Sequence, residues 1–222
     1  MNQKKTILFI SFTILSLFFI ACSSNIPTPN ERKQTALDLS SSNKNIVQKN
    51  IQTSQFNLFS LQNMQNNCES IKIFVEGDGL SWTSRKTISS NPTPINPIGL
   101  KLMLSDNSLC KIYLARPCQY INSNMCEDKY WSTHRFNEKV IQSYDEVLTN
   151  LKKDFPNSKF DLIGYSGGGA IVTLIATKRD DINSITTIVG NLDIDEWTKI
   201  QKITPLDGSL NPANFSKKLE NI

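Results

Sequence analysis

The chain has 222 residues, enough for one domain with a sizeable core. Its 24 basic and 20 acidic side chains give a net charge of +4, too small and too evenly spread to support a nucleic-acid partner. There is no CxxC pair and only one histidine, which argues against a zinc site; no metal or organic cofactor is expected.

In chain order, two lysines lie within the first five residues, and a run free of charge then extends from Thr6 to Ala21, just before Cys22. A basic opening followed by an apolar stretch slightly short for a comfortable span predicts a secretory signal over 1–21, in preference to an uncleaved anchor helix. Phe19-Ile20-Ala21-Cys22 resembles the lipobox of bacterial lipoproteins, with Phe19 in place of the usual leucine. That resemblance implies a lipid on Cys22 as the first mature residue. Ser23 behind it resembles lipoproteins sent to an outer membrane. The implied place is a bacterial cell envelope, outer-membrane or periplasm-facing, with the lipid as the contact to the membrane. Four cysteines remain, Cys68, Cys110, Cys118 and Cys126, and an even number in an oxidising compartment suits two disulfides.

The stretch after Cys22 is rich in Ser, Asn, Gln and Lys and shows no sustained apolar periodicity up to Gln55. It predicts a flexible tether, with residues 22–62 outside a folded domain of 63–222. Ile71–Val75 is a short β-branched run closed by the turn signal Glu76–Gly79. A proline-rich loop leads to a helical stretch over Ile98–Ser105, and Lys111–Ala115 is a second strand closed by Arg116-Pro117. Phe136–Phe155 carries apolar residues at helical spacing and stops at Pro156. Phe160–Ile163 is a third strand, Ala170–Lys178 a helix and Ser184–Val189 a fourth strand. Strands separated by helices predict a mostly parallel α/β sheet covered on both faces.

Gly164-Tyr165-Ser166-Gly167-Gly168 satisfies G-x-S-x-G between an apolar strand and an amphipathic helix. Alone the pattern is weak, and its setting gives it meaning: a strand-to-helix turn lifts a serine hydroxyl clear of the sheet and leaves the next N–H at a helix N-terminus. A phosphate-binding loop would need a lysine after the glycines, and none follows. Ser166 is therefore the candidate nucleophile and the Gly167 N–H a candidate oxyanion donor.

Taken together, Glu76–Gly79, Asn91–Pro94 with Asn96-Pro97, Arg116–Tyr120, Tyr130-Trp131 with His134–Phe136, the Ser166 turn, Gly190–Asp193 and Ser209–Pro212 resemble an exported lipoprotein of the α/β-hydrolase fold. The likeness runs from about Ile71 to Phe215. It implies a serine hydrolase acting on a small or lipid-like ester, with the second oxyanion N–H supplied by Asp78. It also implies that the strands behind Cys68 and Cys110 are parallel neighbours, so that these two cysteines can bridge. Cys118 and Cys126 flank a short polar loop that closes easily.

The pattern also departs from the family. A triad on this fold runs serine, acid, histidine, yet no histidine follows Ser166. His134 precedes it, in a segment that does not carry the base in the family, and is expected to be structural. Asp193, Asp195 and Asp207 would have no base to orient. The chain reads as a member lacking its final strands, with Ser184–Val189 left at an edge, and as a weak or inactive hydrolase. A non-catalytic envelope binding lipoprotein on the same scaffold is the alternative.

Overall fold

A computed structural model describes residues 26–220. The expected signal segment and Cys22 lie outside these residues. Six strands form one sheet in the order β1-β2-β4-β3-β5-β6. They span Val47–Gln52 (β1), Asn57–Asn63 (β2), Ser70–Val75 (β3), Lys111–Leu114 (β4), Lys159–Tyr165 (β5) and Ile182–Ile188 (β6). β3, β4, β5 and β6 run parallel, while β1 and β2 form an antiparallel pair that joins β4.

Among the described residues five α-helices accompany the sheet: Pro29–Ser41 (α1), Ile98–Ser105 (α2), Glu138–Asp154 (α3), Gly167–Ala176 (α4) and Ile194–Gln201 (α5). One face packs Ile71, Ile73, Val75, Ile112 and Leu162 against Val140, Tyr144 and Leu148 of α3 and the residues of α4. The other packs Phe59, Leu61, Phe74 and Tyr113 against Ala36 of α1 and Leu100 and Met103 of α2. Helices on both faces are the arrangement that a central parallel sheet requires, because neither of its faces is polar enough to meet water. α4 is buried on every side and correspondingly shows no polar stripe. Among the described residues no helix is long and apolar enough to cross a membrane.

The tether expected over 22–62 is corrected. α1, β1 and β2 occupy most of it, and β2 is a buried inner strand, with Leu58 and Phe59 on opposite faces of the sheet. Burial on both faces replaces the alternation of a half-exposed strand, so the polar residues around Leu58-Phe59 masked it. α1 begins at a capping box in which Thr28 and Glu31 bond each other's backbone N–H, with Pro29 at its first position. Its Arg32 is buried and donates to the carbonyls of Asn91 and Thr93 in the proline-rich loop.

β6 is the outer strand at one end of the sheet, with Val189 beyond it 72% exposed. The disulfides join Cys68 to Cys110 and Cys118 to Cys126. The first ties the entrance of β3 to that of β4, the parallel neighbour. The second closes the loop that leaves β4.

Candidate active site

Ser166 sits between β5 and α4 with φ +50° and ψ −118°, a conformation that costs on the order of 1–3 kcal/mol for a residue with a Cβ. Surrounding contacts hold it there. Its N–H donates to the Ile188 carbonyl at 2.9 Å, and its carbonyl accepts from Gly169 at 2.9 Å and Asn191 at 3.3 Å. The turn is also closed by contact: a Cβ at Gly164 would lie 2.3 Å from the Gly168 carbonyl oxygen, and one at Gly168 would lie 2.3 Å from that of Val75. Only glycine lets β5, α4 and the end of β3 approach this closely. The result is a serine presented above the parallel strands' carboxyl ends, at a helix N-terminus.

Ser166 opens onto a cleft of about 380 Å³ walled by Glu76–Gly79, Tyr165 and the Pro94–Ile95 loop. The Glu76–Gly79 loop is pressed against the serine, since a Cβ on Gly77 would stand 3.4 Å from that of Ser166. The Glu76 carboxylate is buried. It accepts from the N–H of Gly77 at 2.9 Å, Gly99 at 3.1 Å and Leu100 at 3.4 Å, and from the Tyr113 hydroxyl at 3.1 Å. It thereby caps α2, whose N-terminal neighbour Pro97 offers no side-chain cap. Burial raises the pKa of Glu76 above the ordinary carboxyl value, with these four bonds working the other way. Burial, and then the Glu76 carboxylate itself, keeps Tyr113 protonated as a donor.

The Gly77 N–H is consumed by Glu76, so the Asp78 and Gly79 N–H groups are left without an acceptor among the described residues. The Gly167 N–H, first in its helix, is likewise free of an intrahelical partner. The Asp78 N–H lies on the loop that walls the serine's cleft, and the Gly167 N–H opens α4 directly after the serine. The Asp78 side chain does not serve as a base. Its Oδ1 meets Arg116 Nη1 at 2.8 Å and its Oδ2 meets Arg135 Nη1 at 2.6 Å. Burial would raise this carboxyl, but the guanidiniums of Arg135 and Arg116 outweigh it and hold the pKa below the ordinary value. Gly167 is where Asp78 fits, because a Cβ there would lie 2.1 Å from Asp78 Oδ1. Gln119 fastens the same loop, donating to the Gly77 carbonyl at 3.0 Å.

Among the described residues nothing hydrogen-bonds Ser166 Oγ, and no histidine lines its cleft. The ring of His134 bonds Thr133 Oγ1 at 2.8 Å and packs so closely on Gly208 that a Cβ there would lie 2.3 Å from it. Asp193 caps α5 through the Glu196 N–H at 3.2 Å, and Asn211 bonds both Asp193 and Asp195. The Asn211 bond, first, lowers the pKa of Asp193. Asp207 is exposed, and none of the three acids lines the cleft. No group of three or more metal-ligating side chains comes together among the described residues.

Sequence reasoning assigned no role in holding this site to the side chains of Glu76, Tyr113, Arg116 and Arg135. The signal was present: Glu76 follows β3 directly and Arg116 comes two residues after the end of β4, and a charge at the end of an inner strand needs a buried partner.

An esterase of Pyrococcus furiosus aligns with 88% of this chain and 71% of its own, at a TM-score of 0.52 and 14% identity. The scaffold is an α/β-hydrolase fold. A serine hydrolase homologue of Coxiella burnetii (TM-score 0.46, 9% identity, 72% of this chain and 70% of that one) and a carboxylesterase of Bacillus subtilis (0.45, 10%, 74% and 50%) are also similar. The chain spans about half the length of the latter. By sequence, a uroporphyrinogen decarboxylase of Orientia tsutsugamushi is 31% identical over 87 residues, 39% of this chain and 25% of that protein. Such a local match covers a quarter of the relative and assigns no activity. No protein family model matches the chain.

Proposed function

We propose that this chain carries a serine-hydrolase site for an ester or related acyl bond, and that it is held at a bacterial envelope by lipid on Cys22. The supporting observation is Ser166 itself, in a strained turn conformation above a cleft bordered by unbonded N–H groups on two elements. In the reaction, Ser166 Oγ adds to the acyl carbon. The carbonyl oxygen takes the negative charge and is held by the N–H groups of Gly167 and Asp78; the bond to the leaving oxygen then breaks, and that oxygen takes up the proton given by Oγ and departs as the alcohol. Water reverses the sequence on the acyl-serine, releasing the acid.

The missing part is the base that takes the Oγ proton. The single histidine of the sequence packs on Gly208 and does not line the serine's cleft. Turnover by this chain is therefore slow, limited to what oxyanion stabilisation and binding supply, roughly 10³–10⁴-fold over water. A fluorophosphonate should label Ser166 slowly and Ser166→Ala not at all, with p-nitrophenyl ester hydrolysis near background and His134→Ala changing neither. Absence of labelling in folded protein would defeat the nucleophile assignment; fast hydrolysis abolished by His134→Ala would defeat the slow-turnover reading. The same observation favours a second reading, a binding lipoprotein that keeps the scaffold without chemistry. That reading requires ligand binding unchanged in Ser166→Ala. For the anchor, radiolabelled fatty acid should enter the protein and be lost in Cys22→Ala; equal labelling of both would remove it.

A further inference from the structure

A second cavity, of about 360 Å³, shares no lining residue with the serine's cleft. Trp82 and Trp197 with Ile203 and Leu206 supply its apolar lining, and Arg85 and Arg135 supply its charges. No acidic residue lines it. Its size falls within the ordinary range for small-molecule sites.

Charge decides what fits. Arg135 is 5% exposed, and its charge is only partly compensated. Its Nη1 bonds Asp78 and its Nε bonds the Ser132 carbonyl at 2.8 Å, while Nη2 has no hydrogen-bond partner among the described residues. The single Asp78 carboxylate is shared with Arg116, so one negative charge faces two positive ones and the buried trio carries a net positive charge. Arg116 Nε is buried without a partner. Arg85, exposed at the cavity, adds a further positive charge. An apolar wall beside uncompensated guanidinium charge is complementary to a molecule with an apolar tail and one anionic head, and the planar fork of arginine suits a carboxylate.

We propose that this cavity binds a monocarboxylate with an apolar tail, independently of Ser166. Trp82 and Trp197 are two of the three tryptophans in the sequence, and the third, Trp131, is buried with its Nε1 on the Ser89 carbonyl. Tryptophan emission therefore reports on the cavity directly. Titration with decanoate below its micelle concentration should shift the emission saturably, with affinity about tenfold or more above that of decanol, whose head cannot take a charge-assisted bond. Ser166→Ala should bind decanoate unchanged. Arg85→Glu, a surface change that leaves the core intact, should weaken decanoate at least threefold and leave decanol as it was. Equal binding of decanoate and decanol, no saturable shift, loss of binding in Ser166→Ala, or an Arg85→Glu protein that still binds decanoate at full affinity would each overturn the proposal. None of these outcomes depends on whether Ser166 reacts with a fluorophosphonate.

Discussion

Asp78→Asn removes one negative charge and almost no volume, and its cost follows from what surrounds that charge. The carboxylate is bonded by Arg116 at 2.8 Å and Arg135 at 2.6 Å, with the two arginine side chains 5% and 6% exposed and Asp78 15% exposed. Such a carboxylate cannot be replaced by water. Its loss leaves two buried guanidiniums facing each other without a counter-charge, and breaking a buried pair in this way costs about 3–5 kcal/mol. Against a total stability of roughly 5–15 kcal/mol for a domain, the loss is large. Urea unfolding followed by tryptophan emission at pH 7 measures it. In an Arg135→Gln background the same substitution should cost less, because only one guanidinium is then stranded, and the cycle should give a coupling of about 1–3 kcal/mol.

The pH dependence is a second test of the same reasoning. The arginines lower the folded pKa of Asp78 below its ordinary 3.8. A depressed carboxyl contributes stability that is present above the unfolded pKa and is lost as pH falls through the folded one. The wild-type advantage over Asp78→Asn should therefore hold from neutrality to about pH 4 and narrow in stronger acid. Glu76, shifted upward, acts with the opposite sign: its contribution is present below 4.5 and fades as pH rises through its folded value. It is common to both proteins and cancels in the difference. A loss below about 1 kcal/mol at pH 7, or a gap that stays constant into strong acid, would show that the trio is not the electrostatic unit described.

The two disulfides should differ in what they contribute. Cys68 and Cys110 are 42 residues apart, and loop-closure entropy gives that bridge about 4 kcal/mol, measured as the urea-midpoint loss of the paired Cys68→Ser and Cys110→Ser protein. Cys118 and Cys126 are only 8 apart, giving about 2.5 kcal/mol. The shorter bridge has a functional share as well: it holds the loop from which Gln119 fastens Gly77, so its loss should slow fluorophosphonate labelling of Ser166 while the longer bridge's loss should not. The reverse order of stability losses, or equal labelling in both variants, would contradict this.

What the sequence made legible, and what it did not, divides along physical lines. β3, β4 and β5 are near-continuous apolar runs next to turn residues, and α3 shows helical spacing on one face; both patterns survive any reasonable tertiary context. The central α4 was legible only from Ala170 because its first turn is Gly167-Gly168-Gly169, poor helix formers whose presence is demanded by contacts with Val75, Gly190 and Asp78. Tertiary approach there overrode propensity. β1 and β2 failed for a different reason. The stretch around β1 has the composition of a solvated linker, and β1 is mostly exposed at the sheet's edge, carrying Lys49 and polar neighbours. A polar strand at an edge is well suited to its place, because it discourages further pairing, yet composition alone cannot separate it from a tether. The local signal that could have corrected the reading was the Thr28-Pro29-Asn30-Glu31 capping box, which is a statement about backbone N–H groups and owes nothing to hydrophobicity.

The site shows the same division at finer scale. Ser166 and Gly167 could be read as candidates because a strained turn and a helix start announce themselves in consecutive residues, whereas the Glu76–Gly79 loop entered through the family resemblance. The groups that fix them are not local. Asp78 finds Arg116 and Arg135 across 38 and 57 residues, and Glu76 reaches Gly99 across 23 and Tyr113 across 37. Such pairings become inferable only once the strand order is known, since it is the adjacency of β3 and β4 that brings Glu76, Asp78 and Arg116 to one end of the sheet. The order of inference matters for His134 as well. Its neighbours in sequence include Arg135, which does reach Asp78 in the Glu76–Gly79 loop, so proximity along the chain would have assigned it to the site. The side chains diverge: Arg135 turns toward Asp78, and the imidazole turns to Gly208 and Thr133. One residue's displacement along the chain separates a group that supports the serine's loop from one that does not.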